Sequence, residues 1–445
     1  MMNPFFQQPN ENPLTCHVFC LDNVPANSYY SVSPFAQKVR NLCWMLKSTG
    51  NHVTYYGYES CEVECDEKVI IASEDLLFQA YPHIHSGKGH IDLNKERENP
   101  KGIEYLEKKW TLATGFEFRK RYKPGDFVFW MLPGCGQRHL YYELEAENLP
   151  VRHIEAGIGY IGACLPYKVF VSSFIRDFHY GIYQSNKRWY ETLDEASKEI
   201  KRGPHYLYTY IDAEQPPTHD ALIPIPFDLS QFDFRIQKED YLLYLARILT
   251  GKGIREAVEI AERMNMKLVV AGPGDFQDQV GRKPSKNIEI LGPVGPKERR
   301  DLLSRAKAVL SLSAVFETFG QAAVEALLSG TVPITANSGG FLDTIQSGYN
   351  GYRIRYSNIE AGIHAVENLD KIDPFALRDS GLRYSREWIA LQYNEYLQYI
   401  DHKFKDNNEK PFFEQDWSDR QKEIQWPEQW IVPVDQKNNG GKNVP

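Results

Sequence analysis

The chain has 445 residues, a formal net charge of −8 and an ordinary apolar share of 42%. That length exceeds one ordinary core and calls for two domains, while the acidic balance disfavours a surface devoted as a whole to nucleic acid or anionic lipid. No run reaches the roughly 18 apolar residues of a membrane span, and residues 1–13 carry neither the basic flank nor the apolar core of a secretion signal.

The seven cysteines all fall in the first 164 residues. Their odd number and scattered spacing suit free thiols, and so a cytoplasmic protein. Cys61 and Cys65 offer half a metal site, but no second pair of suitable spacing follows, so no metal is expected. Residues 15–21 read as a first buried strand. Ser33 and Pro34 then open a helix as N-cap and first helical residue, with Phe35, Val39, Leu42, Cys43 and Leu46 at helical spacing. Gly50 closes it and residues 52–56 form a second strand, which completes a βαβ unit. Further strands are predicted at 69–72, 127–132, 151–154 and 168–172, and a helix at 137–147. Alternation of this kind predicts an α/β fold with a parallel sheet covered on both faces. The charged, less periodic stretch 94–123 reads as an excursion from that sheet, with a basic cluster at Arg119, Lys120, Arg121 and Lys123. Two glycine-rich stretches, PGCG at 133–136 and EAGIG at 155–159, stand just past predicted strands, where open α/β sheets bind ligands. Glu155, Gly157, His153 and His179 are therefore candidate residues of a cleft on the first domain. Taken singly, such glycines serve tight turns and such histidines serve structure more often than ligands.

Residues 221–228 read as a strand running into a proline-punctuated linker, and the pattern restarts after 240. Strands are predicted at 241–246, 267–271, 288–291, 308–312 and 332–335, with helices at 254–264, 296–305 and 321–328. Each strand ends in a loop bearing Gly, Pro or charge. This predicts a second Rossmann-like domain, and two such domains facing each other would leave a cleft between them. Arg247 and Lys252, past its first strand, suit a phosphate ligand. The amides of Phe319 and Gly320 stand at a helix N-terminus, another phosphate site. Two cations and a helix end neutralise a diphosphate without a metal, and no D-x-D triplet occurs in the chain. Glu325 suits ribose hydroxyls, as acidic residues do in dinucleotide folds, and Glu317 suits sugar hydroxyls. Either glutamate alone would be satisfied as a helix cap or a solvated face residue.

In combination, E-x7-E in FETFGQAAVE, the R…KG loop, GPGD, GPV and SGGFLDTI resemble the donor domain of retaining glycosyltransferases built from two facing Rossmann-like domains (the GT-B architecture, family-four-like). IEAGIGYIG, YKVFVSS, YGIY and IPIPFD resemble a branch of these enzymes common in viral and bacterial genomes. The resemblance spans roughly 134–355. It implies that Arg247 and Lys252 bind the donor diphosphate and that Val294 lies under the base. It also implies that Glu317 is the catalytic residue and holds the transferred sugar, that Phe319 and Gly320 offer backbone amides to sugar and phosphate, that Thr318 and Gln321 join the donor site, and that Glu325 holds the ribose. The chain departs from the pattern at Ser31–Pro34, where many relatives carry a glycine pair, and at Asp343, where many carry Glu.

The resulting expectation is an acceptor-side domain at 1–235, a donor-binding domain at 236–385, crossover helices and tail at 386–433 returning to the first domain, and a disordered tail at 434–445. The expected activity is retaining, metal-independent transfer of a hexose from a nucleoside-diphosphate sugar, the co-substrate in place of any cofactor. The acceptor hydroxyl is that of a glycan, a lipid-linked sugar, a protein or a modified nucleobase. The nucleic-acid option rests on the basic cluster alone and is disfavoured, since charge runs are usually solvated faces. Alternatives are a sugar-nucleotide epimerase of the same architecture and a non-catalytic sugar-nucleotide-binding protein.

Overall fold

The computed structural model describes residues 12–30, 33–82, 99–133, 137–165, 167–191, 220–314 and 316–405. The expectations for 94–98, 134–136 and the tail after 405 lie outside the described residues. The chain begins with β1 (Thr15–Phe19), α1 (Pro34–Ser48), β2 (His52–Tyr58) and β3 (Glu67–Ala72). Next come α2 (Glu74–Ala80), α3 (Pro100–Arg119), β4 (Phe127–Trp130), α4 (Arg138–Ala146), β5 (Arg152–Ile158), β6 (Tyr167–Phe170), α5 (Ser173–Glu191) and β7 (Ala221–Leu222). All seven strands pair in parallel in the order β3-β2-β1-β4-β5-β6-β7.

The second sheet follows β8 (Tyr241–Leu245), α6 (Ile254–Arg263), β9 (Lys267–Ala271), α7 (Phe276–Val280), β10 (Ile288–Gly292), α8 (Pro296–Arg305) and β11 (Ala308–Ser311). It is completed by α9 (Gln321–Leu328), β12 (Val332–Ala336), α10 (Phe341–Thr344) and β13 (Tyr352–Ile354), with α11 (Ile359–Glu367) and α12 (Pro374–Leu382) behind it. Its order is β10-β9-β8-β11-β12-β13, again parallel. Both sheets are doubly wound, with the order reversing beside the first strand of each. The carboxyl edge at that reversal is where such sheets bind ligands. β4, β8 and β12 are buried at every residue, as strands covered on both faces require. The fold is thus two Rossmann-like domains.

The last helix, α13 (Arg386–Lys405), lies against α1. Ile389, Ala390, Tyr393, Tyr396, Leu397 and Ile400 join the core that includes Ala36, Val39, Leu42 and Cys43 of α1. Asn51 Nδ2 donates to Asn394 Oδ1 at 3.1 Å, and the buried pair Arg152–Asp401 closes at 2.9 Å. The chain therefore crosses between domains twice, and the two crossings are paired. The Phe227 amide donates to the Tyr384 carbonyl and the Arg386 amide to the Phe227 carbonyl, each at 2.8 Å.

Three expectations are corrected. The stretch after 99 is no excursion: α3 is a 20-residue helix whose Leu106, Trp110, Thr114, Gly115 and Phe118 are buried. Its other face is charged, which masks the period. The basic cluster is largely neutralised, since Arg119 pairs with Glu143 and Glu147, Lys120 with Glu117, and Arg121 with Glu67 and Glu117. The strand predicted at 221–228 shrinks to two residues, because Pro224 and Pro226 cannot donate to a ladder. EAGIG is not wholly a loop: β5 runs on to Ile158 through an irregularity after Glu155, with Gly157 at a φ of +57°. Among the described residues no helix is long and apolar enough to cross a membrane.

Candidate active site

The loop after β8 and the loop after β11 flank the reversal point of the second sheet. They touch at Gly253, where a Cβ would stand 2.2 Å from the Leu312 carbonyl oxygen. That close approach brings the end of the first loop against the second. Lys252 Nζ donates to Glu317 Oε2 at 2.8 Å, with about a fifth of each side chain exposed. The other oxygen, Oε1, accepts the Gly320 amide at 3.1 Å. Gly320 stands before α9 at a φ of +91°, and the Phe341 ring lies where its side chain would be. The Glu317 backbone is held from the other side, its carbonyl accepting the Gly340 amide at 2.8 Å. A carboxylate between an ammonium and a helix N-terminus is where the local field favours negative charge.

Glu325, one turn into α9, is buried. Arg299 of α8 reaches it with two nitrogens, Nε at 3.0 Å and one terminal nitrogen, both bonding Oε2. Among the described residues no donor is shown on Oε1. Arg247 is exposed two residues past β8, at the edge that carries Lys252. Val294, half-buried, packs on the core of this domain after Gly292 and Pro293. Gln321 is the first residue of α9.

Thr318 and Phe319 face the first domain. The Ser172 hydroxyl donates to the Thr318 carbonyl, and a Cβ on Gly159 would lie 3.1 Å from Thr318 Oγ1. Phe319 is buried with Ile158, Phe170, Val171 and Ile175 of the first domain and Phe227 and Tyr384 of the crossings. Its side chain is packing. Asp343 accepts the Ser173 amide at 2.6 Å at the start of α5, so it joins the two domains rather than the Glu317 cluster.

The first-domain candidates form a separate group. Glu155 is fully buried. Its Oε1 accepts the Tyr160 hydroxyl at 2.7 Å, and its Oε2 accepts the amides of Cys164 at 2.8 Å and Leu165 at 3.1 Å. Burial raises its carboxyl above the usual range, against those hydrogen bonds. His179 bonds the Tyr160 carbonyl at 2.9 Å, and burial lowers it. These residues hold the loop after β5 in place. His153 accepts the Trp130 indole at 3.0 Å and lies edge-on to Tyr141. None of the three bonds to Lys252, Glu317 or Glu325.

Two residues were missed. Lys38 of α1 donates to the Met131 carbonyl at 3.0 Å, at the reversal point of the first sheet, and burial lowers it to about 7. A lysine between the apolar positions Phe35, Ala36 and Val39 is its only local signal. Arg299 lies 26 residues from Glu325 and carries no local signal at all.

Burial lowers His153 to about 4. Its unfolded value is near 6.5, so the unfolded chain binds the extra proton first on acidification. The stabilisation is fully present above pH 6.5 and is lost as pH falls towards 4, on the order of 3 kcal/mol. His179 acts in the same sense. Urea midpoints at pH 7 and pH 4.5 are expected to lie closer together in His153→Gln, which keeps an acceptor for Trp130. An unchanged gap would show that His153 titrates normally.

Residues 227–379, which carry this geometry, match the family model described as glycosyl transferases group 1. An uncharacterized glycosyltransferase of Methanocaldococcus jannaschii is 33% identical over 195 residues, 39% of this chain and 49% of that protein. A glycogen synthase of Mycobacterium tuberculosis is 30% identical over 145 residues, 30% of this chain and 34% of that one. The chain thus spans half or less of the length of these two relatives. Among solved structures, sucrose-phosphate synthase from Thermosynechococcus elongatus superposes with a TM-score of 0.56 at 17% identity, over 87% of this chain and 99% of that one. That likeness speaks to the fold.

Proposed function

We propose that the chain is a retaining, metal-independent glycosyltransferase that moves a hexose from a nucleoside-diphosphate sugar to an acceptor hydroxyl. The observation that carries this reading is the meeting of Lys252, Glu317 and the Gly320 amide at the reversal point of the second sheet, with Glu325 one turn along the same helix. Lys252, Arg247 and the N-terminus of α9 supply positive potential for a leaving diphosphate in a partly desolvated site. Glu325, with Arg299 on one oxygen, presents the other to the ribose diol. Glu317 takes hydroxyls of the transferred sugar.

Breaking the bond to the sugar adds a negative charge to a diphosphate that already carries two, and the cations and helix end stabilise it. The acceptor hydroxyl attacks from the face the diphosphate leaves, and its proton passes to the departing phosphate oxygen. No side chain is required as a covalent nucleophile. The acceptor is a glycan, a lipid-linked sugar, a protein or a modified nucleobase, and the first domain is where it would lie. A cytosolic setting suits the six described cysteines, all free.

The test begins with a thermal-shift screen of nucleoside-diphosphate sugars, since a ligand that binds only the native state raises Tm. With the donor so found, transfer is expected to survive excess EDTA. With an α-linked donor, proton NMR of the first product is expected to show the small anomeric coupling of an α-glycoside. Activity lost to EDTA and restored by manganese would defeat metal independence, and a β-linked first product would defeat retention.

A further inference from the structure

The two groups best placed to bind a phosphate already hold one and the same carboxylate. Lys252 Nζ and the Gly320 amide grip opposite oxygens of one carboxylate, that of Glu317, at 2.8 and 3.1 Å. A phosphate oxygen bound to both would occupy the volume of that carboxylate. Two anions cannot share the place, since like charges about 3–4 Å apart in a partly buried site repel by several kcal/mol. We infer that Glu317 is a built-in substitute for the donor's phosphate: its carboxylate fills the phosphate seat and must swing out when a diphosphate enters. This rests on the reading of Lys252 and the α9 N-terminus as the diphosphate seat.

The surroundings hold the Glu317 backbone in place. Gly339 and Gly340 press on the Glu317 backbone: a Cβ on Gly339 would meet the Glu317 carbonyl oxygen at 2.3 Å, and one on Gly340 would meet the Thr318 oxygen at 2.5 Å. The Gly340 amide bonds the same carbonyl. With the backbone clamped between the two loops, movement is left to the side-chain torsions. A carboxylate turned out of the seat stays at its rim, where an acceptor-only group meets sugar hydroxyls. Entry of the diphosphate thereby turns Glu317 from a partner of Lys252 into a partner of the sugar. Departure of the sugar lets it return and compete with the diphosphate product for Lys252, which speeds product release. A ligand with a diphosphate but no sugar contends with the carboxylate without compensation. The device therefore disfavours inorganic pyrophosphate and free nucleoside diphosphate relative to the donor.

The deciding experiment titrates the full chain with inorganic pyrophosphate, a probe independent of the unknown base and sugar, by calorimetry. Wild type, Glu317→Gln and Lys252→Met are compared. Gln still caps the Gly320 amide but carries no charge, so Glu317→Gln is expected to bind pyrophosphate at least tenfold more tightly than wild type. Lys252→Met is expected to bind at least tenfold more weakly. The rise in Tm with added pyrophosphate should rank the three proteins in the same order. Glu317→Asp, too short to span both groups, is expected to fall between wild type and Glu317→Gln and serves if the latter fails to fold. Equal or weaker binding by the Glu317 variants, with Lys252→Met still impaired, would overturn the substitute and keep the seat. Unchanged binding by Lys252→Met, or no binding by any of the proteins, would overturn the seat and the substitute together.

Discussion

Replacing Lys252 with methionine is expected to lower kcat/KM roughly 100- to 1000-fold. Methionine keeps the apolar stem, so the loss isolates the ammonium. A charge-assisted hydrogen bond contributes about 1.5–3 kcal/mol to binding, and removing one donor that stabilises developing charge costs about 10²–10³ in kcat. These overlap rather than add, because the same contact serves both states. The variant also leaves Glu317 with the Gly320 amide alone, so part of the seat's preference for an anion survives. Steady-state kinetics with the donor identified by the screen would check the figure. A loss under fivefold would remove Lys252 from the reaction.

Gly340→Ala is expected to cut transfer about 100-fold while the protein still folds. The backbone there has an ordinary φ of −63°, so alanine suffers no intrinsic strain. The collision is external: its Cβ would stand 2.5 Å from both the Phe319 Cα and the Thr318 carbonyl oxygen. These are backbone atoms of the loop that holds Glu317, so either that loop or α10 must move by about an ångström. Misplacement on that scale costs about 10²-fold in well-oriented reactions. Gly181→Ala, on α5 with nothing within 4 Å of the added methyl among the described residues, is the matched control and is expected to be silent. Equal activity of the two variants would show that the loop's position is not what transfer depends on.

What could be read from residues alone follows a physical divide. Elements bounded by local punctuation were readable to the residue. α8 begins at Pro296, which needs no amide partner, and α9 lies between Gly320 and the Ser329–Gly330 stop. The strand that ends before Glu317 is a plain apolar run. Elements defined by their neighbours were not. In α3 the buried face includes Thr114 and Gly115, which are not apolar markers, and Glu104 and Lys108 decorate the outside. Gly157 looked like a turn because a glycine inside a strand is unusual; the irregular pairing of β5 with β6 accommodates it. The candidate site divides in the same way. Lys252, Glu317 and Glu325 carry a recognisable spacing. The first-domain histidines lacked one, and the structure engages them with Trp130 and Tyr160. Arg299 and Lys38 act through contacts that exist only once separate elements are packed.

The paired crossings at Phe227 and Tyr384–Arg386 set how the two halves can move. A single connecting strand would let one domain swivel freely over the other. Two chain segments hydrogen-bonded side by side behave as a flat strap: bending across its width is easy, and twisting about its length strains both bonds at once. Relative movement of the two halves is thereby expected to be a rocking about one axis rather than a swivel.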